Sequence, residues 1–266
     1  MDKLFLYFFS ASFVLAGAGT AVSCVFFTFP RKILLSILKY ILATVLFTYT
    51  VSLFIRIILS RHAPMASLFE SLFFFCWSIC FISFIVYLRF KESFFLPFSF
   101  PMLFLLSLKA YFSPWDIRPL FPALKTIWFE LHVAASFFAY SAFGIGFAGG
   151  ICYLIKNYSR YSGVLPEADI IDLVIYRSAV WGFFLFSFSM LTGGIWAYLA
   201  WCNYFIWTPK EIWSVLLWTF YAFYLHARLL NEWSGKRCAW LGILGFIFTM
   251  FTYLGVSLLM QSSHRL

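Results

Sequence analysis

The feature that most constrains this 266-residue chain is a succession of eight long apolar stretches separated by short breaks. They run over about 4–29, 33–57, 67–88, 93–113, 127–154, 178–201, 212–233 and 238–260. Crossing a hydrocarbon core as an α-helix takes roughly 20 apolar residues, with every backbone amide satisfied inside the segment. Water-soluble domains keep roughly a quarter of their residues charged. Here 64% of residues are hydrophobic and 11% charged, which excludes a water-soluble fold. No succession of short alternating strands suggests a membrane β-barrel. The pattern predicts an all-α polytopic integral membrane protein: a bundle of about eight transmembrane helices, read as one transmembrane domain over 1–266.

The connections add polarity in two places. Residues 114–126, PWDIRPLFPALKT with a proline at each break, read as an interfacial segment, and residues 155–177 are the most water-like part of the chain. The first apolar stretch is longer than the core of a signal peptide and has only Lys3 ahead of it, so it is expected to stay as a span. The net charge of +9 lies mostly in loops, where it orients a membrane protein rather than binding nucleic acid. Counted over alternate loops, one side holds eleven Lys and Arg and the other eight, the side with fewer carrying both termini. Cytoplasmic loops carry the excess, so the termini and the loop after residue 201 are expected on the outer face. Six cysteines are scattered without a CxxC pair, and thiol chemistry is therefore expected from a partner. Gly146 and Gly150 form a lone GxxxG, the spacing of ordinary close helix packing as well as of dimer faces.

Against this background, four histidines and one aromatic cluster stand out. His62 follows the second span, His132 lies about one turn into the fifth, His226 falls well inside the seventh, and His264 is near the C-terminus. An ionisable group inside a span ordinarily faces the bundle interior and serves a purpose, which singles out His226. Trp201, Trp207 and Trp213 punctuate WCNYFIWTPKEIW, with Trp196 just before it. Tryptophans at span ends can form the interfacial belt of any membrane protein. Trp207, inside the loop beside Pro209, is harder to read that way. Glu211 opens the next helix, where the helix dipole favours an acid. Lys210 and Arg61 are cations able to face an acidic ligand. An aromatic shelf, imidazoles and a few cations suit a flat macrocycle with two carboxylates, namely haem. No span carries two histidines, which speaks against a buried electron-transfer cytochrome.

The stretch GGIWAYLAWCNYFIWTPKEIWSVLLWTFYAFYLHAR resembles the tryptophan-rich "WWD" signature of the haem-handling proteins that include CcsA/ResC and CcmC. RHAPMASLFESLFFFCW, LHVAASFFAYSAF, IDLVIYRSAVWGF and the C-terminal TYLGVSLLMQSSHRL also resemble segments of the CcsA/ResC type, in order, from about residue 60 onward. That type serves cytochrome c biogenesis in the two-component (system II) pathway. The resemblance implies haem b held on the outer face against a platform loop at 202–211, with Trp196, Trp201, Phe205, Trp207, Trp213 and Lys210 contributing. It implies His132 and His264 as axial ligands to the iron and His226 as a transit site within the membrane. His62 matches a family histidine of less defined role.

The activity implied is that of a holocytochrome c synthase subunit of the haem-lyase type, in the cell's inner (plasma) membrane. Haem would be presented for thioether attachment to the CxxCH of an apocytochrome c. A CcsB/ResB-like membrane partner and a thioredoxin-like thiol reductant go with it. The alternative is a haem exporter or chaperone that hands haem on without ligation. A secondary transporter would want intramembrane carboxylates, and the spans carry almost none, apart from Glu70 and Glu130 near their ends. Three positions depart from the family pattern: Cys202 stands for Gly, Phe205 for Trp and Thr208 for Asp. SSHRL also stands where the family has Leu-His-Ser-Tyr.

Overall fold

The computed structural model describes residues 2–256 apart from 118, 162 and 231. Among the described residues there are eight α-helices: α1 (Asp2–Thr28), α2 (Lys32–Ser60), α3 (Leu68–Phe90), α4 (Leu96–Tyr111), α5 (Ile127–Ile155), α6 (Ala168–Trp201), α7 (Pro209–Leu230) and α8 (Lys236–Met250). Six of them, α1, α2, α3, α5, α6 and α8 with its extension to Gly255, are long and apolar enough to cross a membrane. The chain is a polytopic helical membrane protein. α4 is a shorter apolar helix of 16 residues with Pro101 inside it. α6 begins at Ala168 rather than near 178, so part of the polar 155–177 segment is helix. Ile171, Val174, Ile175 and Ser178 are buried while Asp169, Leu173 and Arg177 are exposed. That helical spacing of an inward stripe carries α6 beyond its apolar run.

The backbone gathers into two compact units, Met1–Leu124 with Lys156–Pro166, and Lys125–Ile155 with Glu167–Leu266. In the first, α1 packs on α2 and α4, and α3 on α2 and α4. Phe5, Phe9, Phe69 and Phe73 interlock edge to face at centroid distances of 5.4–6.2 Å. Tyr161 closes back on the end of α1, donating to the Phe27 carbonyl at 3.2 Å. Beside the phenylalanine cluster is a buried ion pair. Arg56 of α2, 1% exposed, donates through Nη2 to Glu70 Oε1 of α3 at 2.9 Å and through Nε at 3.2 Å. Its Nη1 donates to the Trp115 carbonyl at 2.8 Å, and Phe5 and Phe69 lie over its guanidinium at 5.5 Å each. Glu70 Oε2 accepts from the Ala66 amide at 3.1 Å, and Ser67 caps α3 by accepting from the Glu70 amide.

In the second unit, α5 runs antiparallel to α6. A Cβ built on Gly182 would meet the ring of Phe143, and one built on Gly193 would meet that of His132. α8 crosses α5 at Gly150, where a Cβ would lie 2.5 Å from the carbonyl oxygen of Ala239. The Gly146/Gly150 spacing is thus close packing inside this unit. At the far end of α7, Arg228 grips Asp172 of α6 through two hydrogen bonds, and Gly235 donates to the same carboxylate at 2.9 Å. α8 passes into a π-helical turn over Phe251–Gly255.

Candidate functional site

The tryptophan-rich stretch forms a short irregular loop between α6 and α7. α6 ends with Cys202 in the left-handed conformation (φ 57°), its amide donating to the Tyr198 carbonyl at 2.8 Å. Glycine adopts this helix-ending conformation without cost; here Cys202, which carries a side chain, holds it. Thr208 caps α7: its hydroxyl accepts from the Glu211 amide at 3.3 Å. Glu211 reaches back, accepting from the amides of Thr208 at 2.7 Å and Ile206 at 3.2 Å. With Pro209 as the first helical residue, TPKE is a reciprocal capping box. Asp and Thr both serve as N-caps, so Thr208 makes the turn an Asp would make, without its negative charge.

Trp207 lies between the two amides that Glu211 holds, at φ 56°, and its side chain is 66% exposed. A bulky residue in the left-handed region costs on the order of 1–3 kcal/mol and persists only where neighbours over-determine it. Glu211 supplies that constraint. Glu211→Ala is expected to cost about 1 kcal/mol, the usual worth of a cap. Hydrogen exchange should quicken at the Ile206 and Thr208 amides; unchanged exchange there would remove the box from the explanation. Phe205, also exposed, tilts against Trp207 at 5.6 Å, and Tyr204 stacks on Tyr198 at 4.6 Å, pinning the loop to α6. Lys210 is half-buried with no anionic partner among the described residues, and burial holds its ammonium below the usual lysine range.

Beneath the loop the aromatics are packed rather than open. Trp196 is buried between Phe129 at 5.3 Å, Trp201 at 4.9 Å and the imidazole of His132, which stacks on it at 6.2 Å and 15°. Trp213 packs its ring on the edges of Phe248 and Phe251, joining α7 to α8 and its extension. His132 is half-buried, with Nδ1 2.8 Å from the Ser189 carbonyl oxygen. A carbonyl only accepts, so Nδ1 carries the proton and the neutral ring keeps its lone pair on Nε2, the form that ligates metals.

His226 stands apart from this group. His226 lies on α7 about 25 Å along the helix axis from Pro209, at roughly 1.5 Å per residue. Its side chain is exposed, which corrects the expectation that it faces the bundle interior. The inward stripe of α7 is Leu217, Tyr221, Tyr224 and Ala227, and His226 falls off it by one residue. His62 belongs to the first unit. Its Nδ1 is 2.9 Å from the Ala63 carbonyl oxygen, and its Nε2 is buried without a partner among the described residues. His264 lies outside the described residues. Ser136, Ser189 and Gly193, which surround His132, carried no signal in the sequence beyond the glycine pair ahead of Trp196.

The cytochrome C assembly protein family matches residues 65–264 of the chain. The cytochrome c biogenesis protein CcsA of Guillardia theta is 33% identical over 248 residues, covering 82% of this chain and 81% of its own. The CcsA of Mesostigma viride is 30% identical over 236 residues, 77% of each chain. That of Prochlorococcus marinus strain MIT 9301 is 30% identical over 240 residues, 79% of this chain and 78% of its own. With the match running from the α2–α3 loop through the histidine slot and the capped tryptophan loop, the chain belongs to the cytochrome c assembly protein family, as a member of the CcsA type.

Proposed function

We propose that, within cytochrome c biogenesis, the second unit binds haem b at the outer face of the plasma membrane and presents it to the CxxCH of an apocytochrome c. The observation that carries this reading is the state of His132. Its Nδ1–H is committed to the Ser189 carbonyl, which leaves Nε2 as an imidazole lone pair suited to iron. Trp207 and Phe205 offer exposed ring faces to a flat macrocycle. Lys210, a cation without an anionic partner among the described residues, suits a propionate. The residues fit haem as a substrate. The porphyrin supplies two vinyl groups, across which cysteine thiols add, each S–H becoming a C–S and a C–H bond with no net change in electrons.

In this reading the chain's own side chains bind and orient. His132 and His264 hold the iron, the tryptophan loop fixes the ring plane, and positioning lowers the barrier for thiol and vinyl to meet. Cys76, Cys80, Cys152 and Cys238 are buried, and the exposed Cys24 and Cys202 belong to no CxxC pair, so a separate thioredoxin-like reductant is assigned the upkeep of apocytochrome thiols. His226, exposed on α7, marks the transit of haem through the membrane, completed by a CcsB/ResB-like partner.

The test is the visible spectrum of the chain purified from haem-replete cells together with any membrane protein that co-purifies. A bis-imidazole haem spectrum is expected. His132→Ala should lower the retained haem by about tenfold or more, at least the loss seen when a ligand's supporting partner is removed. A colourless preparation, or one whose spectrum ignores His132→Ala, would sink the reading. Haem retained without thioether formation on a CxxCH peptide would favour a haem chaperone instead.

A further inference from the structure

Resting on the reading of His132 as an iron ligand, we infer that Ser189 and Gly193 of α6 are positioning residues that select one tautomer of that histidine. His132 projects from α5 into a slot on α6 made by Ser189, Gly193 and Trp196, which share one helix face at spacings of four and three. The Ser189 carbonyl takes the Nδ1 proton at 2.8 Å. In the other tautomer, the Nδ1 lone pair would point at the carbonyl lone pairs across that distance, which is repulsive.

The hydroxyls nearby do not reverse this. Ser189 Oγ lies 3.1 Å from Nδ1, but it also lies 3.0 Å from the His132 carbonyl oxygen, an acceptor for its single proton. Ser136 Oγ sits 2.5 Å from Ser189 Oγ and 2.8 Å from the same carbonyl. With Ser136 donating to Ser189, and Ser189 donating to the His132 carbonyl, every proton has a place and Nδ1 is left to donate.

Gly193 makes the approach possible. A Cβ on it would lie 2.5 Å from Nδ1 and 2.8 Å from Cε1 of His132, closer than non-bonded atoms come. Its backbone is helical, so the glycine is there for space and not for an unusual φ. Any side chain at 193 pushes the imidazole off the carbonyl, while Trp196 stacks along the ring. The neutral histidine side chain in water prefers the proton on Nε2. The slot inverts that preference and puts the ring's lone pair on Nε2 before any haem arrives. A hydrogen bond at the distal nitrogen also raises the donor strength of the ligating one.

The experiment uses the full chain in detergent, labelled with 15N-histidine and free of haem, at a pH where histidine is neutral. Subtraction of the His132→Ala spectrum assigns the His132 signals. The expected result is a protonated Nδ1 and an unprotonated Nε2; a protonated Nε2 overturns the inference. Gly193→Ala should return the majority to the Nε2–H form. On haem loading it should lose the six-coordinate low-spin spectrum, and added imidazole should restore it. A Gly193→Ala protein with the wild-type tautomer and spectrum also overturns the inference, and if that variant does not fold, the wild-type tautomer decides. Full haem retention by His132→Ala, with the Nδ1–H tautomer intact in the wild type, would instead overturn the ligand assignment and leave the slot standing.

Discussion

Arg56→Ala is expected to destabilise the first unit by about 3–5 kcal/mol, the cost of leaving one partner of a buried pair uncompensated. Arg56 is 1% exposed and answers to three other segments at once. It binds Glu70 at the start of α3, the Trp115 carbonyl beyond α4, and two phenylalanine rings from α1 and α3. Removing it strands the Glu70 carboxylate away from water. Glu70 is further tied to the Ala66 amide, so the loop carrying His62 should loosen with it. Thermal unfolding in detergent, followed by helical signal, measures the loss. The double variant Arg56→Leu/Glu70→Leu should recover part of it, because exchanging both charges for apolar groups strands no ion. A double variant no better than the worse single one would show that the carbonyl contacts, and not the ion pair, carry the effect.

Gly150→Ala is expected to disrupt the second unit, while Gly146→Ala, one turn away on the same helix, is expected to be harmless. At Gly150 the added methyl meets the backbone carbonyl of Ala239 at 2.5 Å and Ile243 at 3.0 Å. Backbone cannot rotate aside, so α8 must move away from α5, at a cost of about 1–3 kcal/mol or more for overpacking. At Gly146 the nearest atoms to the new methyl are 4.0 Å away, and alanine is the better helix former by about 1 kcal/mol. α8 leads toward residue 264, so Gly150→Ala should also lower haem retention. The measurements are unfolding midpoint and haem per protein for both variants. Equal damage from both would show that the glycine spacing acts through some surface other than the α5–α8 crossing.

Much of the candidate site could be read from its residues. TPKE carries the residue types of a capping box in the order a helix start requires, so the end of the tryptophan loop was local information. Thr208 as a cap needed only its own type and place. The surroundings of His132 were not legible, because Ser136 and Ser189 are ordinary serines until α5 and α6 are laid antiparallel in one register. Gly193 looks like any glycine in a span until the imidazole beside it is seen. Arg56, counted in sequence as a loop charge, proved to be buried, since its partner Glu70 lies across a loop and faces it only after α2 and α3 pack. His226 was expected to face inward because it is an ionisable group inside a span, yet the packing of Tyr221 and Tyr224 turned it outward.

What the sequence determined by itself was an all-helical membrane protein; of the eight spans it suggested, six helices among the described residues are long and apolar enough to cross a membrane. An unsatisfied amide in lipid costs so much that a long apolar stretch has few other conformations open to it. What only the tertiary structure decided was which side of each helix meets protein. In water an amphipathic stripe marks the buried face. In a bilayer the lipid is as apolar as the core, so leucines and phenylalanines point both ways and periodicity falls silent. The faces are then chosen by steric fit and by a few polar contacts: Gly150 under Ala239, Arg56 against Glu70, and His132 against Ser189. Each of these is a relation between residues distant in the chain, and none exists until the helices have met.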